Sequence, residues 1–247
     1  MKKIIHIYTQ YYYPVANAAS NRVEKYVKAL KDDYDIKVIT WIPNYPIWIK
    51  SSEYKWKIFK KEVWVLWEKI IRVYEFATKN EWLLGRIINF LSFMFSSFLY
   101  WLFTKKPDKI IVTSPPLFTA ISVLLLHKIK RIPYVLEIRD LWPDSVVALW
   151  FIKNSLIYKL FSWIEKSLYK NAESIIWVTK WICRTIENKW FNLDKINLQY
   201  NISEEVKLSD LENPYSEFFD KIKWRKISLF AWNMNEAYDF DISSEYI

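Results

Sequence analysis

Apolar and polar positions alternate along this chain in blocks whose lengths suit strands and helices in turn. Short β-branched runs predict buried strands, and longer segments with apolar residues at helical spacing predict helices. The predicted strands are residues 3–9, 36–40, 69–74, 109–113, 134–138, 174–179 and 196–199, and the predicted helices are 18–30, 82–103, 117–129, 154–169 and 181–189. This alternation predicts an α/β fold with a doubly wound, mostly parallel, Rossmann-like sheet.

The pattern changes after residue 203. Residues 204–224 are charged, contain Pro214 and show little periodicity, which predicts a linker. Residues 226–231 then have the composition of one more strand, with no helix after it. We therefore expect one domain over residues 1–203 and the truncated beginning of a second α/β domain over residues 225–247.

One helical segment has an unusual charge pattern. Residues 87–103 contain no charged side chain, and Arg86 and Lys105 with Lys106 flank them. Three structures are compatible with this segment: a buried helix that covers the sheet, a helix that docks on a membrane surface, and a membrane span. The polar Asn89 and four hydroxyl side chains within it favour the buried helix.

Composition and charge limit the partners. The net charge is +9 and the sequence pI about 9.3, which suits nucleic acid, anionic lipid or phosphorylated substrates. The basic residues are spread without a run of five, so we expect no nucleic-acid partner. Cys183 is the single cysteine, and His6 and His127 lie far apart in sequence, so we expect no internal disulfide and no metal site.

The segments after the predicted strands are the candidate binding loops, because ligands of open parallel sheets bind at the carboxyl ends of strands. After the first strand, a loop of small residues opens a helix whose N-terminal amides could hold a phosphate. In this loop Asn17, Ser20 and Arg22 are candidate binding residues, with Arg22 as a bidentate clamp. The alternative is a tight loop with a surface arginine.

Two further loops carry candidate chemistry. Asn44 and Tyr45 follow the second strand, and Arg139, Asp140 and Asp144 follow the fifth around a Trp-Pro step. A buried Arg–Asp pair is costly without a function or good geometry. Asp144 suits two roles, a ligand contact or the cap of a helix that begins near residue 145.

Four motifs in these loops resemble a known family. They are Tyr-Tyr-Pro with Ala-Ser-Asn-Arg (residues 12–22), Thr-x-x-Pro-Asn-Tyr-Pro (40–46), Thr-Ser-Pro-Pro-Leu (113–117) and Arg-Asp-Leu-Trp-Pro-Asp-Ser (139–145). In this order and spacing they resemble the N-terminal half of family-four retaining glycosyltransferases. The group they are most similar to is the fucosamine transferases of O-antigen and capsule assembly, and the resemblance extends from residue 3 to about residue 240.

The resemblance implies a GT-B architecture of two Rossmann-like domains. It implies a nucleotide-sugar donor, usually UDP-linked, a polyprenyl-diphosphate-linked acceptor at the anionic inner leaflet of the plasma membrane, and transfer without a metal or other cofactor. Asn17, Ser20, Arg22, Asn44 and Tyr45 would line the cleft.

The same family pattern implies roles for the remaining candidates. Arg139 would stabilise phosphate charge where many relatives carry a histidine, Asp140 would orient the acceptor, and Asn233 would belong to the donor diphosphate site. The paired-glutamate motif of the donor domain is missing from the sequence, so we expect residues 1–247 alone to be inactive.

The tryptophan content is explained by the same pattern. The chain has one glycine and fifteen tryptophans, whereas average usage predicts roughly 17 glycines. The family has glycine at positions 41, 48, 150, 181, 190 and 232, while Trp142 matches a genuine tryptophan. We hypothesise that the source organism decodes UGA as glycine, and we expect these six indoles to be exposed or strained at the ends of elements. The alternative is a protein that is naturally rich in tryptophan.

Two other functions remain to be weighed. A Rossmann-like module could bind a nucleotide or a partner without turnover. A nucleotide-sugar epimerase would need a Gly-x-Gly-x-x-Gly turn after the first strand and a Tyr-x-x-x-Lys pair; residues 15–20 contain neither glycine nor tryptophan, and Tyr26 and Tyr54 have Leu30 and Ile58 four positions later.

Overall fold

An eight-stranded sheet forms the centre of the structure, a computed structural model that describes residues 2–15, 17–44, 52–54, 57–64, 66–78, 83–144, 156–189 and 195–200. The strands are β1 (Lys3–Tyr8), β2 (Tyr34–Trp41), β3 (Phe59–Val63), β4 (Lys69–Val73), β5 (Lys109–Ser114), β6 (Tyr134–Ile138), β7 (Ser174–Trp177) and β8 (Ile196–Leu198). Their order in the sheet is β3-β4-β2-β1-β5-β6-β7-β8, and every neighbouring pair is parallel except β3 with β4. The α/β class and the mostly parallel sheet predicted from the sequence are confirmed.

Helices cover both faces of this sheet. They are α1 (Ala18–Leu30), α2 (Leu83–Leu102), α3 (Leu117–Lys130), α4 (Leu156–Asn171) and α5 (Lys180–Lys189). The apolar residues of α1 pack on one face, against Ile5, Ile7 and Val38 among others. The buried residues of α2, α3, α4 and α5 belong to a second core on the opposite face. This two-sided cover explains why the central strands are continuous apolar runs.

The strand order changes direction at β1. From β1 the chain extends the sheet through β2 and β4 on one side and through β5, β6 and β7 on the other. Such a point leaves a crevice at the carboxyl ends of the two central strands, here β1 and β5. The fold therefore concentrates the ends of β1, β2, β4, β5 and β6 at a single edge.

Two elements were missed by the sequence pattern. β3 forms a hairpin with β4 at the edge of the sheet, and a 3-10 turn covers Ser52–Tyr54. The β3 sequence Phe-Lys-Lys-Glu-Val is mostly charged, and this edge strand has one exposed face and one half-buried face that carries Lys60 and Glu62. Hydrophobic periodicity misses such a strand because its charged residues give no apolar run.

The charge-free segment forms α2, with one face in the core and the other in solvent. Asn89, Phe93, Ser97 and Trp101 are buried, whereas Phe95 on the opposite side is 55% exposed. The expectation of a buried helix therefore holds for one face only. Across the described ranges, no helix combines the length and apolar character needed to cross a bilayer.

The expectation for the tryptophans was wrong at one position. Trp41 is 1% exposed and belongs to the core of the α2 face, where strand alternation turns it inward. Trp181 is 68% exposed at the start of α5, as expected. Trp142 packs, half-buried, against the same core. Positions 48, 150, 190 and 232 lie outside the described residues.

Trp67, which is not among the six positions, has a left-handed backbone of the kind that favours glycine. It lies between β3 and β4 with φ 65° and is 85% exposed. The proposed linker and second domain lie beyond the described residues, and the domain boundaries stay predictions.

Candidate active site

The candidate site lies at the carboxyl edge of the sheet, around the switch point between β1 and β5. The loop after β1 is fixed to its neighbours by hydroxyl groups: Thr40 Oγ1 donates to the carbonyl oxygen of Gln10 at 2.9 Å, and Thr9 Oγ1 donates to that of Tyr11 at 3.0 Å. Thr113 Oγ1 on β5 lies 3.4 Å from Thr9 Oγ1. These contacts hold the first binding loop against the ends of β2 and β5.

Four buried polar side chains form a network beside this loop. Asn44 Nδ2, after β2, donates to Glu75 Oε1, after β4, at 3.1 Å. Asn89 Nδ2, on α2, donates to the same carboxylate oxygen, and Gln10 Nε2 donates to Asn89 Oδ1 at 3.2 Å. All four side chains are at most 2% exposed. The carboxylate accepts only, so it fixes the amino groups of Asn44 and Asn89 toward itself.

In this orientation two amide oxygens of the network have no hydrogen-bond donor among the described residues. They are Gln10 Oε1 and Asn44 Oδ1, and both are buried. A buried acceptor without a partner costs about 1–3 kcal/mol. Both oxygens are shielded from solvent in this structure, so a hydroxyl-rich ligand would recover this cost only where it displaces the loops that cover them.

Arg139 and Asp140 lie at the end of β6 but do not form the buried pair that the sequence suggested. Asp140 is exposed, and the half-buried Arg139 donates from Nη2 to the carbonyl oxygen of Pro115 at 2.9 Å. Burial lowers the pKa of Arg139, opposed by the negative charges of Glu137 and Asp140. Arg139 Nε is buried and has no hydrogen-bond partner among the described residues.

The buried ion pair at this edge is Arg22 with Glu137. Arg22 Nε donates to Glu137 Oε1, which also accepts from the Tyr26 hydroxyl at 2.6 Å. The other two nitrogens of Arg22 donate to the carbonyl oxygens of Tyr200 and Gln199 at 3.1 and 3.0 Å.

This setting fixes the protonation state of Arg22 and limits its role. Burial by itself lowers the pKa of Arg22, but the charge of Glu137 and the hydrogen bonds outweigh it and raise the pKa overall. The alternative of a surface arginine was wrong, because Arg22 is 6% exposed and joins α1 to the sheet. Phosphate binding by Arg22 stays a prediction.

Three of the remaining candidates, Asn17, Ser20 and Asp144, take part in local structure. Asn17 is the N-cap of α1 and accepts from the backbone N–H of Ser20 at 2.8 Å; the side chain of Ser20 is buried. Asp144 Oδ1 accepts from the Tyr158 hydroxyl at 2.9 Å. Tyr45 and Asn233 lie outside the described residues. A ligand-binding role for each of these residues stays a prediction.

Sequence reasoning missed four residues that shape this edge: Gln10, Glu75, Asn89 and Glu137. Asn89 interrupts a charge-free helix, and Glu137 interrupts an apolar strand. A polar residue in a segment that must be buried needs a buried partner, so both could have been recognised. Glu75 follows β4 in an irregular segment and offers no such pattern. Among the described residues, no group of three His, Cys, Asp or Glu side chains could hold a metal ion.

The chain is similar to a protein from a polysaccharide pathway. It is 28% identical over 157 residues to a protein of Escherichia coli (strain K12) named as a colanic acid biosynthesis glycosyl transferase, WcaI. The match covers 60% of this chain and 37% of that protein, so this chain corresponds to well under half of its relative. No family model matches the chain. The similarity and the α/β sheet together support a glycosyltransferase half with a Rossmann-like fold.

Proposed function

We propose that this chain supplies the acceptor-binding half of a glycosyltransferase of cell-surface polysaccharide biosynthesis. In this reaction a nucleotide-sugar donates its sugar to a hydroxyl group of a lipid-linked saccharide. One observation carries the proposal: two buried amide oxygens, Gln10 Oε1 and Asn44 Oδ1, lie at the carboxyl edge of the sheet with no partner among the described residues. A saccharide is a ligand that is rich in hydroxyl donors.

The second element of the proposal is the position of Arg139. β6 is separated from β2 by β1 and β5 in the sheet, and three intervals of roughly 4.8 Å place their ends about 14 Å apart. This separation suits a sugar joined to a diphosphate, with hydroxyl groups at Asn44 and Gln10 and phosphate at Arg139. The exposed Asp140 would hydrogen-bond the acceptor from the rim of the site.

The transfer forms a bond between the acceptor oxygen and the anomeric carbon of the donor sugar. The bond from that carbon to the nucleoside diphosphate breaks, and the acceptor hydroxyl loses its proton. We propose that the donor is UDP-linked, that the configuration is retained, and that no metal is required. The polyprenyl-diphosphate acceptor would be met at the inner face of the plasma membrane. We also propose that residues 1–247 alone bind the acceptor without turnover.

Calorimetric titration tests the proposal. The probes are a short-chain prenyl-diphosphate-linked N-acetylglucosamine and the same prenyl diphosphate without sugar. Gln10→Met keeps the side-chain volume but removes the whole amide, both the free oxygen and the Nε2 donor to Asn89. The loss of a hydrogen bond to a hydroxyl donor should weaken binding of the sugar-bearing probe about 5- to 20-fold. Arg139→Gln should weaken binding of both probes. Ser122→Ala is the control, because its buried hydroxyl donates within α3 to the carbonyl oxygen of Thr119.

Equal affinity of wild type and Gln10→Met for the sugar-bearing probe would contradict the saccharide site. Binding of UDP-N-acetylglucosamine in the absence of any acceptor binding would favour the alternative, a nucleotide-binding module without turnover.

We further propose that UGA is decoded as glycine in the source organism. The exposed Trp181 and the left-handed, exposed Trp67 support this proposal, whereas the buried Trp41 opposes it at that position. Mass spectrometry of tryptic peptides from the natural protein decides each position separately. A glycine mass at 67 and 181 supports the proposal, and a tryptophan mass at both positions refutes it.

A further inference from the structure

The outward face of α2 carries a line of exposed apolar side chains. Spacings of four and seven residues place them along one side of the helix. They are Leu84 (69% exposed), Ile88 (48%), Phe95 (55%) and Leu99 (50%), continued by Phe103 (82%) just after the helix. Large apolar side chains scattered singly on a surface are ordinary, but a contiguous row marks an interaction surface.

The neighbouring helices extend this row into a broad face. α3 packs between α2 and α4, so the three helices lie side by side. α3 adds Leu125 and Ile129, which are 37% and 58% exposed. α4 adds a second row, whose members are Leu156 (83% exposed), Ile157 (60%), Leu160 (54%) and Trp163 (62%). We call the outward side of α2, α3 and α4 the helical face.

The charges of these three helices are of one sign apart from one buried residue. Their basic residues are Arg86, Lys128, Lys130, Lys159, Lys166 and Lys170, and their single acidic residue is Glu165, which is 2% exposed. Lys130 caps the end of α2 by donating to the carbonyl oxygens of Trp101 and Thr104. The other five are exposed. The helical face therefore combines apolar rows with lysines and arginine.

A groove continues the apolar surface on the far side of α2. It has a volume of about 730 Å³ and lies between α2 and the β3–β4 hairpin. Phe95, Leu99 and Phe103 line one wall, and Phe59 and Tyr74 line the other. Its size and lining suit part of a hydrocarbon chain.

We propose that the helical face docks on a bilayer that contains anionic phospholipid. The apolar rows enter the boundary between headgroups and acyl chains, and the lysines meet lipid phosphates. The density of lysine argues for lipid over a protein partner, because the cores of protein interfaces are depleted in lysine. This proposal adds a membrane-docking surface to the proposed function but uses none of the residues assigned to acceptor binding.

Vesicle flotation with the full chain tests the docking. The vesicles are phosphatidylcholine alone and phosphatidylcholine with about a third phosphatidylglycerol. Each lysine near an anionic surface contributes about a fivefold factor in affinity, so Lys159→Glu/Lys166→Glu should weaken binding to the anionic vesicles at least 30-fold. Its control, Lys28→Glu/Lys31→Glu, changes the same charge at α1, on the opposite face of the sheet.

The apolar contribution is tested by Phe95→Gln/Leu99→Gln and by Leu160→Gln/Trp163→Gln. Each pair should weaken binding at least tenfold. Trp181→Gln/Leu198→Gln, which alters exposed apolar side chains outside the helical face, should leave binding unchanged. Thermal unfolding of every variant verifies that these exposed substitutions preserve the fold.

Three results would overturn the proposal. They are no flotation of the wild type with anionic vesicles, equal binding of the helical-face and control variants, and equal affinity for neutral and anionic vesicles. Self-association that the Phe95→Gln/Leu99→Gln pair abolishes in the absence of vesicles would assign the face to a second copy instead. The titration of the acceptor probe is independent of all these outcomes, so the two proposals can fail separately.

Discussion

Replacement of Trp67 by glycine should stabilise this chain, although the change removes the largest natural side chain. Trp67 closes the turn between β3 and β4: its N–H donates to the carbonyl oxygen of Trp64 at 2.8 Å, and the N–H of Trp64 donates to the carbonyl oxygen of Glu68 at 3.2 Å. A hairpin turn followed by a residue in the left-handed region is the arrangement that favours glycine at that residue. Here an L-residue occupies it with φ 65°.

The magnitude follows from two opposing effects. The left-handed conformation costs an L-residue about 1–2 kcal/mol, and glycine avoids this cost. Glycine in turn loses about 0.4–1 kcal/mol through the greater freedom of the unfolded chain. The indole is 85% exposed, so its removal forfeits little buried area. We expect a net gain of about 0.5–1 kcal/mol in the free energy of unfolding.

Urea denaturation of Trp67→Gly and Trp67→Ala measures this effect. Alanine also removes the indole but retains the strain of an L-residue, so it should gain nothing. The glycine variant should unfold at a higher urea concentration with an unchanged slope. An equal gain in both variants would refute the argument, because exposure of the indole would then explain the result. A loss in the glycine variant would refute the left-handed assignment itself.

Two further predictions concern buried titratable side chains. Arg22→Met leaves the Glu137 carboxylate, which is 0% exposed, without its cation. The variant should therefore lose about 3–5 kcal/mol of unfolding free energy in urea, and Arg22→Met/Glu137→Leu should recover most of this loss. An equal cost for the single and double variants would contradict the ion-pair argument. Burial, with a smaller effect of the Lys37 charge, lowers the pKa of His6 to about 2. As the pH falls from 6.5 to 4, only the unfolded state therefore binds a proton at His6. The free energy of unfolding should fall by up to about 1.4 kcal/mol per pH unit over this range. His6→Phe should remove this part of the slope, and an unchanged slope between pH 6.5 and 4 would show that His6 becomes protonated in the folded state.

The candidate site could be predicted in part. Position after a strand was enough to select the loops that meet at the carboxyl edge, since the ends of parallel strands share one edge. It could not separate residues that face a ligand from residues that hold the loops in place. Arg22 looked like a phosphate clamp, yet its partner Glu137 lies 115 positions away in sequence. The hydrogen bond between Asn44 after β2 and Glu75 after β4 could not be predicted from the sequence either.

The sequence by itself determined the local elements of this protein. Alternation of apolar runs placed seven of the eight strands and all five described helices close to their observed ends, because burial of one face imposes a period on each segment. Only the tertiary structure decided which polar groups meet and which apolar faces stay uncovered. The charge-free stretch of α2 shows the reason. Its composition indicates burial throughout, but the sheet covers only one side of the helix, and α3 packs beside it and leaves the outward side in solvent.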